Sequence, residues 1–212
     1  MTQATLAWRS PRAWTRLLLV LVAALAVDLT TKSVAFERVA QVPIDLSDRE
    51  TVSDPGFRLP WHDGIRAVPP DLLDFHLVVN HGAVFGIGQN ARVVFIVFTI
   101  VAVAAGVVIF GWWTLARSTW AHVAIGLILA GGIGNLHDRV VYGAVRDFLY
   151  LFPRRNLPFG LAWPGGTREM FPWVFNVADM TLLAGMLILI LHSRHEDRRR
   201  SAVQPAVGGS GT

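Results

Sequence analysis

Apolar residues in this chain gather in long runs instead of being spread through it. Four runs approach the roughly 20 residues that an α-helix needs to cross a hydrocarbon core about 30 Å thick. The first covers 17–36 and is broken only by Asp28 and Lys32. The second, 93–113, carries no charge, and the third, 120–136, is shorter and Gly-rich. The fourth, 172–192, contains Asn176 and Asp179. The pattern predicts a membrane all-α chain, a four-transmembrane-helix bundle. After the first run the sequence turns to Pro, Asp and Gly, which reads as loop. Within that stretch, Asp74-Phe75-His76-Leu77-Val78-Val79 has the composition of a strand and leads into a turn signal, Asn80-His81-Gly82. A small extracytoplasmic β-sheet lying on the membrane surface is therefore expected. The tail, 204–212, is rich in Pro, Gly and Ser and is expected to be disordered. No internal repeat is visible, so residues 1–203 are expected to form one domain.

Composition supports the membrane reading. The chain is 53% hydrophobic and 16% charged, against about a quarter charged in a soluble domain. With no cysteine there is no disulfide framework, thiolate nucleophile or cysteine-ligated metal. The net charge of +4 raises nucleic acid as a partner, but the arginines sit beside apolar runs, as membrane topology requires. Arg9, Arg12 and Arg16 precede the first run, Arg117 separates the second and third, and Arg194 and Arg198 to Arg200 follow the fourth. These segments are expected to be cytoplasmic. The stretch 37–76 holds eight acids against four arginines. External segments at 37–92 and 139–171, with both termini inside, follow from that bias. The first run also has the layout of a cleavable signal peptide, but three later runs and its own charge pair favour a permanent span.

Ionisable residues inside spans are costly and read as functional by default. Asp28 and Lys32, spaced i,i+4, share a helix face, and a structural ion pair is favoured over direct catalysis. Ser33 beside Lys32 suggests a Ser/Lys protease only weakly, since adjacent residues diverge on a helix. Asn176 and Asp179, spaced i,i+3, also share a face. Asp179 lies about six residues in from Trp173, which is about 9 Å below the interface at 1.5 Å per residue. A carboxyl at that depth is partly desolvated and can hold a proton at neutral pH. The third cluster reads Gly131-Gly132-Ile133-Gly134-Asn135-Leu136-His137-Asp138-Arg139, then Val145-Arg146-Asp147. Its glycines allow close helix approach. Asp138, next to Arg139, suits an anchoring role. Asp147, followed by an apolar run that would hug the membrane surface, is the better candidate for a perturbed carboxyl. Physical arguments alone do not separate the two acids.

Two neighbouring carboxyls cannot both ionise, so they share a proton, and the pair can activate water against a peptide carbonyl. No HExxH, no GxSxG elbow in an ordered region and no cysteine offer another chemistry. The seven histidines show no ligand spacing, and His137 reads as interfacial. Neither a metal nor a cofactor is expected. A transporter using Asp179 and the Asp28–Lys32 pair, or a non-catalytic scaffold, is the rival class.

The chain resembles lipoprotein signal peptidase, also called signal peptidase II, a family of membrane aspartic proteases. Five motifs occur in the family's order. They are Asp28-Leu-Thr-Thr-Lys32; Asn80-His-Gly-Ala-Val-Phe85; Gly131 through Arg139; Gly143-Ala-Val-Arg-Asp147-Phe148; and Phe175-Asn176-Val-Ala178-Asp179. The resemblance implies a four-helix bundle with an external β-cradle in the bacterial cytoplasmic membrane. It implies an endopeptidase that cuts diacylglyceryl-prolipoprotein just before the lipid-bearing cysteine, near the outer leaflet. It puts the catalytic pair on Asp147 and Asp179. Supporting or substrate-binding roles fall on Asp28, Lys32, Asn80, Gly82, Asn135, Arg139, Asn176 and Ala178, and Asp138 is expected to be structural. Arg139 is expected to anchor Asp138 or to contact substrate. The expected partners are that substrate and membrane lipids, with no nucleic acid and no second subunit. The external stretches 37–76 and 153–172 look longer than is usual in the family, and His81 occupies a variable motif position. Trp61 and Trp163 are read as interface anchors.

Overall fold

The computed structural model describes residues 5–82 and 91–203, with side chains as far as residue 198. In chain order the helices are α1 (Pro11–Arg38), α2 (Arg49–Ser53), α3 (Arg92–Val108), α4 (Thr119–Val141) and α5 (Val177–Val203). The strands are β1 (Ile65–Val68), β2 (Leu73–Asn80), β3 (Val145–Leu151) and β4 (Val174–Phe175). Residues 83–85 of the second motif and the tail from 204 lie outside the described residues.

Four of the helices, α1, α3 with its continuation to Trp113, α4 and α5, are long and apolar enough to cross a membrane. Their sequence logic is inverted relative to a soluble bundle. Val93, Val97, Phe98 and Val101 of α3 and Leu183, Leu187 and Leu191 of α5 are exposed on the outside, where lipid replaces water. The interior seams use small residues instead. A side chain at Gly131 on α4 would collide with the Ala178 carbonyl and with Thr181 and Leu182 of α5, so its hydrogen lets the two backbones close together. At its start, α1 follows the usual chemistry, with Ser10 accepting from the Ala13 N–H at 3.3 Å and Pro11 in the first turn.

Two apolar clusters bracket the bundle's polar residues. Ala13, Leu17, Phe110, Ile125 and Leu129 pack near one end. Phe36, Val39, Leu77, Phe148 and Leu149 pack near the other, under the sheet. Along α1 and α4 the buried Asp28, Lys32, Asn135 and Asp138 fall between them. Trp8, Trp14, Trp112 and Trp120, with Arg9, Arg16 and Arg117, mark the first end, which is the pattern of an interfacial aromatic belt on the basic side.

The sheet is four-stranded and antiparallel in the order β1-β2-β3-β4. Register pairs Val78 with Asp147 and Asn80 with Val145 between β2 and β3. Residues 148–152 are thus not a run hugging the membrane surface. They belong mostly to an interior strand whose Phe148 and Leu149 are buried. A second difference concerns the fourth span. Hydropathy alone begins it at 172, but Val174 and Phe175 pair with Tyr150 and Leu149, and the helix starts only at Val177. Hydropathy does not distinguish an apolar strand from an apolar helix turn. The third span is longer than its apolar run, since α4 carries Asn135, Asp138 and Arg139 on to Val141.

Candidate active site

On β3, neighbouring residues point to opposite sides, as strand geometry requires. Arg146 and Asp147 therefore part company. The Arg146 guanidinium turns to Asp138, donating from Nη2 to Oδ1 at 2.9 Å and from Nε to Oδ2 at 3.2 Å. Asp147 faces the bundle and is 1% exposed. Its Oδ1 accepts from Asn176 Nδ2 at 2.6 Å and its Oδ2 from Asn80 Nδ2 at 3.0 Å. Asn80 ends β2 and opens the turn after it, its side-chain Oδ1 accepting the Gly82 N–H at 2.9 Å. Burial, and then the charge of nearby Asp179, push the Asp147 carboxyl up to about 8.

The second acid is set by the first turn of α5. Asn176 Oδ1 accepts the Asp179 N–H at 3.1 Å, and Asp179 Oδ2 accepts the Asn176 N–H at 3.1 Å. This reciprocal pair is a capping box, in which two orphan donors of a helix start are satisfied by each other's side chains. A third donor, the Ala178 N–H, is taken by Asp28 Oδ1 at 2.8 Å. Asp179 is thus enclosed because it starts a helix beneath the sheet, not because it lies six residues down a longer one. Asn176 joins the two acids directly: its side-chain amide donates to Asp147 and its main-chain N–H to Asp179.

Asn135 on α4 completes the centre. Its Nδ2 donates to Asp179 Oδ1 at 2.8 Å, while its Oδ1 accepts from Lys32 Nζ at 3.0 Å and Asn176 Nδ2 at 3.1 Å. A cation can only donate, so Lys32 fixes which end of the amide faces the acid. Lys32 in turn pairs with Asp28 Oδ2 at 2.9 Å and lies 3.4 Å from Asp138 Oδ2. Asp28 approaches α4 at Gly134, where any side chain would run into the carboxylate. The predicted i,i+4 pair exists, and it is one arm of a network spanning α1, α4, β3 and α5.

Of the two roles expected of Arg139, a hydrogen bond anchoring Asp138 is not the one it makes. Its Nη2 donates to the Gly82 carbonyl at 2.8 Å, with the guanidinium 5.1 Å from the Phe95 ring centroid. It ties α4 to the Asn80–Gly82 turn, and Asp138 is held by Arg146 and Lys32 instead. A residue and the next on a helix face about 100° apart, so sequence adjacency misled. Arg146, and Arg92, which donates to the Arg139 carbonyl at 2.9 Å, were missed by the sequence reading. The strand alternation around Asp147 could have exposed Arg146, whereas nothing local signals Arg92. Trp163 packs edge-on against Trp173 at 4.8 Å, and Trp61 stands exposed. His137 is half-exposed beside Asp138.

Helices of spanning length around two hydrogen-bonded, buried aspartates define a class: a polytopic membrane protein with a paired-carboxyl centre. The chain belongs to the signal peptidase II family, whose model matches residues 20–194, and it is a membrane aspartic protease. Similar proteins include "Lipoprotein signal peptidase" of Methylobacterium radiotolerans, 35% identical over 64% of this chain and 71% of that one. The protein of the same name from Symbiobacterium thermophilum is 31% identical over 68% and 85%. That from Pseudomonas putida is 36% identical over 58% and 67%. A solved bacterial membrane enzyme superposes with a TM-score of 0.63 at 24% identity, covering 90% of this chain and 93% of that one; this likeness concerns the fold alone.

Proposed function

We propose that the chain removes the signal peptide from diacylglyceryl-modified prolipoproteins, cutting just before the lipidated cysteine, with Asp147 and Asp179 as the catalytic pair. The observation carrying this reading is that one residue, Asn176, bonds both acids inside a nearly closed centre. One ionised carboxylate takes a proton from water as the water oxygen attacks the scissile carbonyl carbon. The protonated partner donates to the carbonyl oxygen, giving a tetrahedral diol. Collapse breaks the C–N bond, and the leaving amine takes its proton from the pair. No cofactor enters these steps.

In this reading Asn80, Asn135 and Asn176 hold the carboxyls in place. Lys32, Asp28 and Ala178 fix those amides and the start of α5, and Asp138 anchors Lys32 and Arg146. Gly82, held by Arg139, shapes the turn that carries Asn80. We place both termini in the cytoplasm, since Arg9, Arg12, Arg16 and Arg117 flank one end of the bundle and the sheet caps the other. The centre then lies near the outer leaflet of the bacterial cytoplasmic membrane, where acyl chains of a substrate stay in lipid. The protein acts as a monomer, with lipid and substrate as its partners and no nucleic acid.

The test is to incubate the purified protein in lipid nanodiscs with a diacylglyceryl-prolipoprotein and its unmodified precursor. Mass spectrometry should find a single cut before the cysteine, in the lipidated substrate only. Cleavage elsewhere, or equal cleavage of both, contradicts the reading.

A further inference from the structure

A half-open groove of 560 Å³ lies outside the polar centre, within the size range of peptide and ligand sites. Residues 57–62 form one wall, and residues 76–79 of β2 form the other. None of its lining residues belongs to a spanning helix, so only the part of a substrate outside the bilayer can reach it.

The wall made by β2 is a strand edge. On its inner side β2 pairs with β3 over residues 73–75 and 78–80, with a bulge at residues 76–77 between them. On its outer side β1 pairs only with Leu73, Asp74 and Phe75. Beyond Phe75, among the described residues, the edge meets a side chain in place of a strand: His62 Nε2 lies 3.4 Å from the Leu77 carbonyl oxygen. The other ring nitrogen of His62, Nδ1, is buried without a partner. Trp61 stands at the groove with 84% of its surface exposed. An open strand edge with main-chain donors and acceptors is a ready template for another extended chain.

We infer that the edge of β2 from residue 76 to residue 80 binds the first residues of the mature polypeptide, beyond the scissile bond, as an added strand. The inference rests on the proposed function and deepens it. Continuity names the occupant. Val78 lies directly across from Asp147, and Asn80, at the end of the same edge, donates to the Asp147 carboxylate. The groove, which His81 also lines, therefore begins one residue from a side chain that touches Asp147. At about 3.3 Å per residue the edge spans about 16 Å, room for about five substrate residues. Binding through main-chain groups is indifferent to side chains. The signal sequence, remaining in the bilayer, does not enter the groove.

The test uses the full chain in nanodiscs and synthetic diacylglyceryl-prolipoprotein peptides, each N-methylated at one of the first five mature residues after the cysteine. A paired strand turns every second N–H toward its neighbour. KM should therefore rise about three- to ten-fold at alternate positions, with kcat and the intervening positions close to the parent peptide. Equal effects at all positions, or none at any, overturn the inference. A second readout does not need cleavage. Trp61→p-benzoylphenylalanine, placed in the Asp147→Asn protein, should photo-cross-link to mature residues of the parent peptide. A cross-link to the signal sequence, or no cross-link, overturns the docking site. If the unsubstituted protein does not cut the parent peptide, the proposed function fails, and the cross-link alone decides the docking site.

Discussion

Every amide in the polar centre has both ends committed. Asn176 bonds Asp147, Asn135 and Asp179; Asn135 bonds Lys32 and Asp179; Asn80 bonds Asp147 and Gly82. A buried network of this kind holds its members in one arrangement because any rotation leaves a polar group unpaired. The Asp147 carboxyl, raised to about 8, gives the centre a pH signature. Below that value the pair keeps one shared proton; above it the second proton leaves and the acid arm is lost. The kcat–pH profile should fall on the alkaline side near pH 8, as an apparent value of the pair. Stability has the same sign. The unfolded carboxyl ionises near its ordinary value, so the stability Asp147 contributes by staying protonated is lost as pH rises from about 4 to about 8. A profile flat through pH 9 contradicts this. Asp138 should behave differently. It is fully buried against Lys32 and Arg146, and Asp138→Asn leaves two cations facing a neutral amide. A loss of about 3–5 kcal/mol in stability is expected, read as a lower Tm, with kcat of the folded fraction near normal. An unchanged Tm with abolished turnover would show that Asp138 takes part in the chemistry.

At the scale of elements, α4 is the hub, packing on α1, α3 and α5, and adjacent glycines on it face different worlds. A methyl at Gly131 meets the α5 backbone, whereas one at Gly132 meets only Val103 and Thr99 at ordinary contact distances of 3.6 and 3.8 Å. Gly131→Ala should cost about 1–3 kcal/mol by forcing the helices apart. Gly132→Ala should be neutral or stabilising through helix propensity. Thermal unfolding in detergent, comparing the two variants, checks the contrast. The spans were legible because lipid demands length and apolarity and little else, and the i,i+4 pair of Asp28 and Lys32 was legible because helix spacing is local. The start of α5 is not legible in hydropathy. Pro172, Trp173, Val174 and Phe175 are apolar enough for a span, and only pairing with β3 makes them strand. The spacing Asn176-x-x-Asp179 fits a capping box as well as a mid-helix face, and only the position of the helix start separates the two. That Asp147, not Asp138, enters the centre was carried by motif resemblance. The deciding fact is the strand alternation that sends Arg146 one way and Asp147 the other.

For the molecule as a whole, a polar layer lies between two apolar clusters, one near each end of the bundle. In the polar centre, opposite charges and amides surround the buried charges of Asp28, Lys32, Asp138 and Arg146, which keeps the cost of burial bearable. The sheet covers one end and supplies Asp147 from β3; α5 supplies Asp179 from below; α1 and α4 supply the groups that hold the acids. Two acids from different elements are thereby brought to one residue, Asn176, and the account stands on that meeting. Its most direct test is turnover of a diacylglyceryl-prolipoprotein by Asp147→Asn and Asp179→Asn proteins that are shown by thermal unfolding to be folded. Each variant is predicted to insert normally and to lose cleavage by about 10³-fold or more, as removing one member of an acid–base pair does. Full cleavage by either folded variant would contradict the paired-aspartate centre.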